Sequence, residues 1–231
     1  MPAKNALKPY IAQGYYHIYN RGVEKRDIFL DEQDYRVFLY YLKLYLLPKE
    51  RNFEEIKHRK DLSMKDQNKR IAELFLMQNY YGKIRVLCYV LMKNHFHLLV
   101  RQNDKKDIES FMRSLITKYV KYFNRLYERV GPLFQSRYKG IIIQKEEYFL
   151  YISRYIHRNP IEILPKNKKL LEYQWSSYPA YVKRYRLDWL LKKTVLSYFT
   201  KTKGFGFSSY QGFVEGYKGK LEDKLSELFL D

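Results

Sequence analysis

One cysteine, Cys88, occurs among the 231 residues, and it falls inside an apolar run. A single thiol excludes a disulfide within the chain and any thiolate cluster for a metal, and it fits a reducing, cytoplasmic setting. No uninterrupted apolar stretch approaches the length that spans a bilayer, and the opening residues MPAKNALKPY hold no apolar signal core. Membrane insertion and secretion are therefore not expected. No segment recurs at a fixed period, so a solenoid or propeller is not expected either. Acidic residues are few beside basic ones, 25 against 44, and histidine is scarcer still, with five in all.

The resulting net charge of +19 is spread along the whole length. Such a surplus suits a polyanion, because neutralising phosphates releases their counterions. The chain also holds 25 Tyr and 14 Phe, many interleaved with cations as in KYVKYFNRLYER and YVKRYRLDW. Rings that stack on unpaired bases and cations that hold the backbone are the means by which single strands are bound, although most of these rings must serve as core.

Hydrophobic periodicity gives the order of elements. Residues 14–22 (GYYHIYNRG) read as a first strand closed by a glycine turn, with His17 inside it as a lone strand histidine of structural character. Asp31 can cap a helix in which Tyr35, Phe38, Leu39, Leu42 and Leu46 recur at helical spacing until Pro48. Residues 49–79 are charged and weakly patterned, an inserted helical hairpin or a mobile loop. Residues 83–92 and 95–102 form two strands with a short connection, hence antiparallel neighbours. A long helix follows from Asp107 to the Gly131-Pro132 stop, then the loop GPLFQSRYKG, a short strand GIIIQ, and a helix from Glu146 that Pro160 ends. The expected fold is α+β: a ferredoxin-like antiparallel sheet (β-α-β-β-α-β), helices on one face, with one helix added at the end. Beyond it lie WSSY, the stretch KGFGFSSYQGF and an amphipathic segment over residues 220–230.

The chemistry concentrates in residues 86–101, VLCYVLMKNHFHLLVR. Successive side chains of a strand alternate faces, so His95 and His97 share one face while Phe96, Leu98 and Val100 share the other. Two neutral imidazoles side by side make a platform for a divalent metal, whereas two buried, unpaired ones would carry a polar penalty. In YFLYISRYIHRNP, Tyr155 and Asn159 are four apart and lie on one helix face. If that face covers the two imidazoles, His95, His97 and the Asn159 oxygen make three ligands for Mg²⁺ or Mn²⁺, with positions left for phosphate oxygens. Tyr155 then stands as a nucleophile, its phenol helped to ionise by nearby cations. Tyr148 and Tyr151 are alternative nucleophiles on the same helix, but Tyr148 has no Asn or Gln four residues on. Arg137 is either a phosphate ligand or a surface cation. Trp175, Ser176 and Ser177 either seat DNA or pack the end of the chain on the core.

At these positions the chain resembles a known family. HFH after an apolar strand is similar to the HUH motif of single-tyrosine transposases of the insertion-sequence transposase A type. YYHIYNRG, GPLFQSRYKG, YISRYIHRNP and WSSY resemble the REP-associated tyrosine transposases, which process palindromic repeats. The resemblance covers roughly residues 15–178. It implies a transposase domain over 10–164, an insertion at 49–79 and an aromatic-basic extension over 165–231. It further implies Tyr155 as nucleophile, His95, His97 and Asn159 as metal ligands, and single-stranded or hairpin DNA as partner, for a monomer or a homodimer. Asn rather than Gln at 159 fits the domesticated branch. The implied activity is metal-dependent cleavage and rejoining of DNA through a 5′-phosphotyrosine. A non-catalytic nucleic-acid-binding module on the same fold is the alternative, and tight binding without cleavage would mark it. A replication or relaxation enzyme is disfavoured by the missing helicase region.

Overall fold

The computed structural model describes residues 10–183, 185–201 and 206–217. Four strands carry the architecture: β1 (Tyr15–Arg21), β2 (Ile84–Met92), β3 (His95–Gln102) and β4 (Lys139–Ile143). They lie in the order β2-β3-β1-β4 with every neighbouring pair antiparallel. This is the strand order of the ferredoxin-like sheet, as the sequence pattern predicts.

Register decides which residues share a face. Tyr19 lies opposite His97 and Arg21 opposite His95, while on the other side of β3 Val90 and Met92 lie opposite the same two histidines. Directly opposed residues of an antiparallel pair point the same way. One face therefore carries His17, Tyr19, Arg21, His95 and His97, and the other carries Tyr16, Ile18, Phe96, Leu98 and Val100, all fully buried.

The apolar face is covered by α1 (Glu32–Leu46) and α4 (Asp107–Leu126). Asp31 caps α1 by accepting the Asp34 amide. Phe38 packs 5.2 Å from Phe96, and Tyr119 of α4 closes on Phe38 at 5.1 Å. Residues 49–79 are helical rather than a loop: α2 (Lys49–Lys57) and α3 (Met64–Leu76) pair through their own small core of Leu44, Ile56 and Leu74. Helix α5 (Glu146–Arg158) sits on the opposite, histidine-bearing face, so helices cover both sides of the sheet. The expectation of helices on one face holds for α1 and α4, and α5 departs from it because a strand buried on both sides needs a second cover.

The chain after α5 holds that helix down. WSSY runs beside β2: the Leu91 amide donates to the Trp175 carbonyl and the Ser177 amide to the Tyr89 carbonyl. Short helices α6 (Tyr178–Val182), α7 (Lys193–Leu196), α8 (Tyr198–Lys201) and α9 (Tyr210–Glu215) follow. Fully buried His157 joins two of these pieces and, through Ser177, β2. Its Nε2 meets Ser177 Oγ at 2.7 Å and its Nδ1 meets the Tyr210 hydroxyl at 2.6 Å, while Ser177 Oγ also accepts the Tyr89 amide at 2.8 Å. Trp175 stacks on Tyr35 at 4.6 Å, so this block packs the core. The amphipathic segment expected over 220–230 lies outside the described residues. Among the described residues no helix is long and apolar enough to cross a membrane.

Burial pushes the His157 imidazole down from 6.5 to about 3. The unfolded chain then binds the proton that the folded one refuses, so the stabilisation is complete above pH 6.5 and is lost as pH falls towards 3, at about 1.4 kcal/mol per unit. Thermal melts between about pH 7 and pH 4 should show a falling Tm over that window. At neutral pH, Ser177→Ala should lower the unfolding free energy in urea by about 1–3 kcal/mol, because it strands a buried imidazole and an amide.

Candidate active site

Between β1, β3 and α5 a cleft of about 450 Å³ opens to solvent. Each expected site residue lines it: His95 and His97 from the sheet, Tyr155 and Asn159 from the helix above. Tyr155 lies one turn before the C-terminus of α5, and Asn159 begins the short 3₁₀ turn Asn159–Glu162 that Pro160 locks in place. The Asn159 amide still donates to the Tyr155 carbonyl, which keeps the two residues on one face. The Tyr155 ring stands edge-on to His97 at 5.3 Å and to His17 at 5.8 Å.

The polar atoms show what the cleft can hold. Asn94 Nδ2 donates to the Lys25 carbonyl at 3.1 Å, which turns Asn94 Oδ1 towards His95 Nδ1, 2.7 Å away. His95 thus donates from Nδ1 and presents a lone pair at Nε2. Facing that lone pair at 3.1 Å is Asn159 Oδ1, another acceptor. Burial holds the His95 pKa below its ordinary value and Arg21 acts in the same direction, against the contact with Asn159. A neutral imidazole and an amide oxygen opposed in this way suit a shared cation. Two neighbouring ligands of a six-coordinate Mg²⁺, each about 2.0–2.1 Å from the ion, stand about 3 Å apart. The His97 ring lies 5.1 Å from that of His95 and is held neutral by burial, with His17 and His95 adding to the effect. Two imidazoles and one amide fit a divalent ion that keeps open positions. Among the described residues no group of three His, Cys, Asp or Glu is placed to hold a metal ion, so a site here would need the Asn159 oxygen as a ligand.

Several residues in the cleft or directly behind it carry contacts that the sequence does not reveal. His17 Nε2 lies 2.8 Å from His97 Nδ1, a contact that a lone strand histidine does not announce. Tyr19 stacks on His97 at 5.5 Å, and Lys139 Nζ stands 5.7 Å from the Tyr19 ring. Period-two alternation in YYHIYNRG already puts His17, Tyr19 and Arg21 on one face; the missing information was the register against β3. Asn20, on the opposite face, donates to the Ser136 and Arg137 carbonyls and so docks the GPLFQSRYKG loop. Arg137 itself lies against α4 in a separate depression, and Lys139 is the cation that this segment brings to the cleft. Arg21 and Arg158 also line it. Neither Tyr148 nor Tyr151 lines the cleft: Lys145 sits over the first at 5.2 Å and Arg154 over the second at 4.8 Å. Gly22 cannot be replaced without movement, since a Cβ there would lie 2.1 Å from the Arg26 carbonyl. Its amide donates to the Asn94 carbonyl, which ties the end of β1 to the turn that positions His95.

A ferredoxin-like sheet with two histidines on one strand, roofed by a helix that offers a tyrosine and an amide, defines the class of site. Residues 54–159 match the family described as "Transposase IS200 like", and this segment carries His95, His97, Tyr155 and Asn159. The match falls on the part of the chain that forms the cleft roof and half of its floor. The fold is shared with a solved structure described as "Structure of the REP associates tyrosine transposase bound to a REP hairpin". That likeness has 16% sequence identity and a TM-score of 0.51, and it covers 80% of this chain and 90% of the other. No curated protein sequence matches the chain.

Mn²⁺ titrated into the metal-free protein in a calorimeter should bind at one site. Asn159→Leu should weaken that binding at least tenfold, and Asn159→Asp, which adds a negative charge beside two imidazoles, should restore or tighten it.

Proposed function

We propose that this protein is a metal-dependent single-stranded DNA transposase that cleaves and rejoins DNA at hairpin-flanked sites through a 5′-phosphotyrosine intermediate. The observation that carries the reading is the convergence of Tyr155 with His95, His97 and Asn159 in one open, cation-lined cleft. The family match over 54–159 supports a transposase, and the hairpin bound by the solved relative is the source of the substrate proposed here.

The residues divide the work. Arg21, Lys139 and Arg158 bind the DNA backbone and favour the ionised phenol by their charge. Arg158 lines the cleft but is only 8% exposed, and its guanidinium is tied to the α9 end of the chain by its bond to the Val214 carbonyl at 2.8 Å. His95, His97 and Asn159 would hold Mg²⁺ or Mn²⁺, which supplies polarisation of a phosphoryl oxygen and stabilisation of charge on the leaving oxygen. Tyr155 Oη loses its proton and attacks phosphorus. The bond from Oη to phosphorus forms as the bond from phosphorus to the 3′ oxygen breaks, and the departing 3′ oxygen takes up a proton. One phosphodiester is exchanged for another, so a 3′-hydroxyl can reverse the step and rejoin strands without ATP.

A hairpin oligonucleotide with a single-stranded flank, incubated with the protein and Mn²⁺, should give a covalent adduct resolved on a denaturing gel. Tyr155→Phe and chelation by EDTA should each abolish it, while Tyr148→Phe and Tyr151→Phe should leave it. An adduct formed by Tyr155→Phe would overturn the assignment, and hairpin binding without any adduct would favour the non-catalytic module.

A further inference from the structure

His17 is buried, 2% exposed, and it neighbours His97, 6% exposed. It lies diagonally across from His97, since Tyr19 is the directly opposed residue. The two rings are nearly parallel, 20° apart with centroids separated by 5.0 Å, and His17 Nε2 is 2.8 Å from His97 Nδ1. Two neutral imidazoles at that distance share one hydrogen, and only two arrangements are open to them. If His17 donates from Nε2, the His97 proton must sit on its own Nε2, and His97 has no lone pair for a metal. If His97 donates from Nδ1, its Nε2 is free to ligate.

We infer that His17 is a positioning residue for His97: it accepts the Nδ1 proton, fixes the tautomer and ring plane of His97, and leaves the Nε2 lone pair for the divalent ion. The inference rests on the metal reading proposed above. It gains support from symmetry of means. His95, the other imidazole of the pair, has its Nδ1 answered by an acceptor too, the Asn94 oxygen at 2.7 Å. One acceptor comes from a turn and the other from β1, and each sits behind the ring it serves. Ligating histidines are held in this way because the acceptor both orients the ring and raises its basicity as a ligand. The Tyr155 ring stands edge-on with its centroid 5.8 Å from that of His17 and 5.3 Å from that of His97, so a tilt of His97 would also move it against the tyrosine.

The test uses the full chain without DNA and reads Mn²⁺ affinity by calorimetry, with the free ion followed by electron paramagnetic resonance. His17→Leu, which keeps volume but accepts nothing, should bind Mn²⁺ about 10- to 100-fold more weakly. His17→Gln, which returns an acceptor oxygen, should recover most of that loss, and His97→Ala sets the floor. A His17→Leu protein that melts like the wild type and binds Mn²⁺ equally well overturns the inference. Long-range nitrogen–proton spectra of the metal-free wild type give a reading that needs no variant to fold: His97 should carry its proton on Nδ1, and a proton on Nε2 overturns the inference. If the wild type binds no Mn²⁺ at all, the metal reading itself fails, and the tautomer still decides whether His17 acts as the acceptor.

Discussion

The structure depends on the burial of polar imidazoles beneath a helix, on a strand whose opposite face is the hydrophobic core. β3 places Phe96, Leu98 and Val100 against α1 and α4 while His95 and His97 lie under α5. Charged imidazolium would be expensive there, so the rings are held neutral, and ring nitrogens turned away from the open cleft must be answered within the protein. Asn94 and His17 answer two of them. On the proposed reading the remaining lone pairs face the cleft, so the constraint that makes the site costly to build would also leave it ready for a cation.

A helix that roofs such a site has to be held at one rotation and one height, because a turn of a fraction of an ångström would carry Tyr155 and Asn159 off the histidines. The chain after α5 supplies that restraint. His157, two residues before Asn159, is clamped between Ser177 and Tyr210. Arg154, 4% exposed, lies with its guanidinium 3.9 Å from the centre of the Tyr217 ring and 4.4 Å from that of Phe213. Contacts of this kind stabilise a buried cation without a carboxylate. In YISRYIHRNP, therefore, alternate residues divide between anchoring the helix and furnishing the cleft, which accounts for a motif far longer than the two residues that would do chemistry.

Much of the fold was legible in the sequence because its signals are local. Asp31 and Pro48 bracket α1, Pro160 ends α5, and the HFH alternation separates the two faces of β3 using nothing beyond strand geometry. The hairpin of α2 and α3 was ambiguous because its apolar face is narrow and packs on a small core of its own. Helix α5 was recognised as the added element, yet its placement on the face opposite α1 and α4 required knowing that β3 is buried on both sides. In sequence His17 is an ordinary strand histidine, since nothing near it in the chain reveals a partner eighty residues away. Arg137 and Lys139 differ in the same way: both sit near one strand end, and only the docking of the preceding loop by Asn20 decides which of them reaches the cleft.

By itself the sequence determined the residue types, their shared faces and their spacing: His95 beside His97, Tyr155 one turn from Asn159, and a basic, tyrosine-rich chain suited to a polyanion. These follow from periods of two and of about 3.6, which are properties of the backbone and need no partner segment. The tertiary structure alone decided that the two faces meet, that Asn94 and His17 stand behind the imidazoles, and that WSSY and the residues around Tyr210 hold α5 in place. The physical reason is that strand register and helix rotation are set by long-range packing, and a hydrogen bond across eighty residues exists only once that packing is complete.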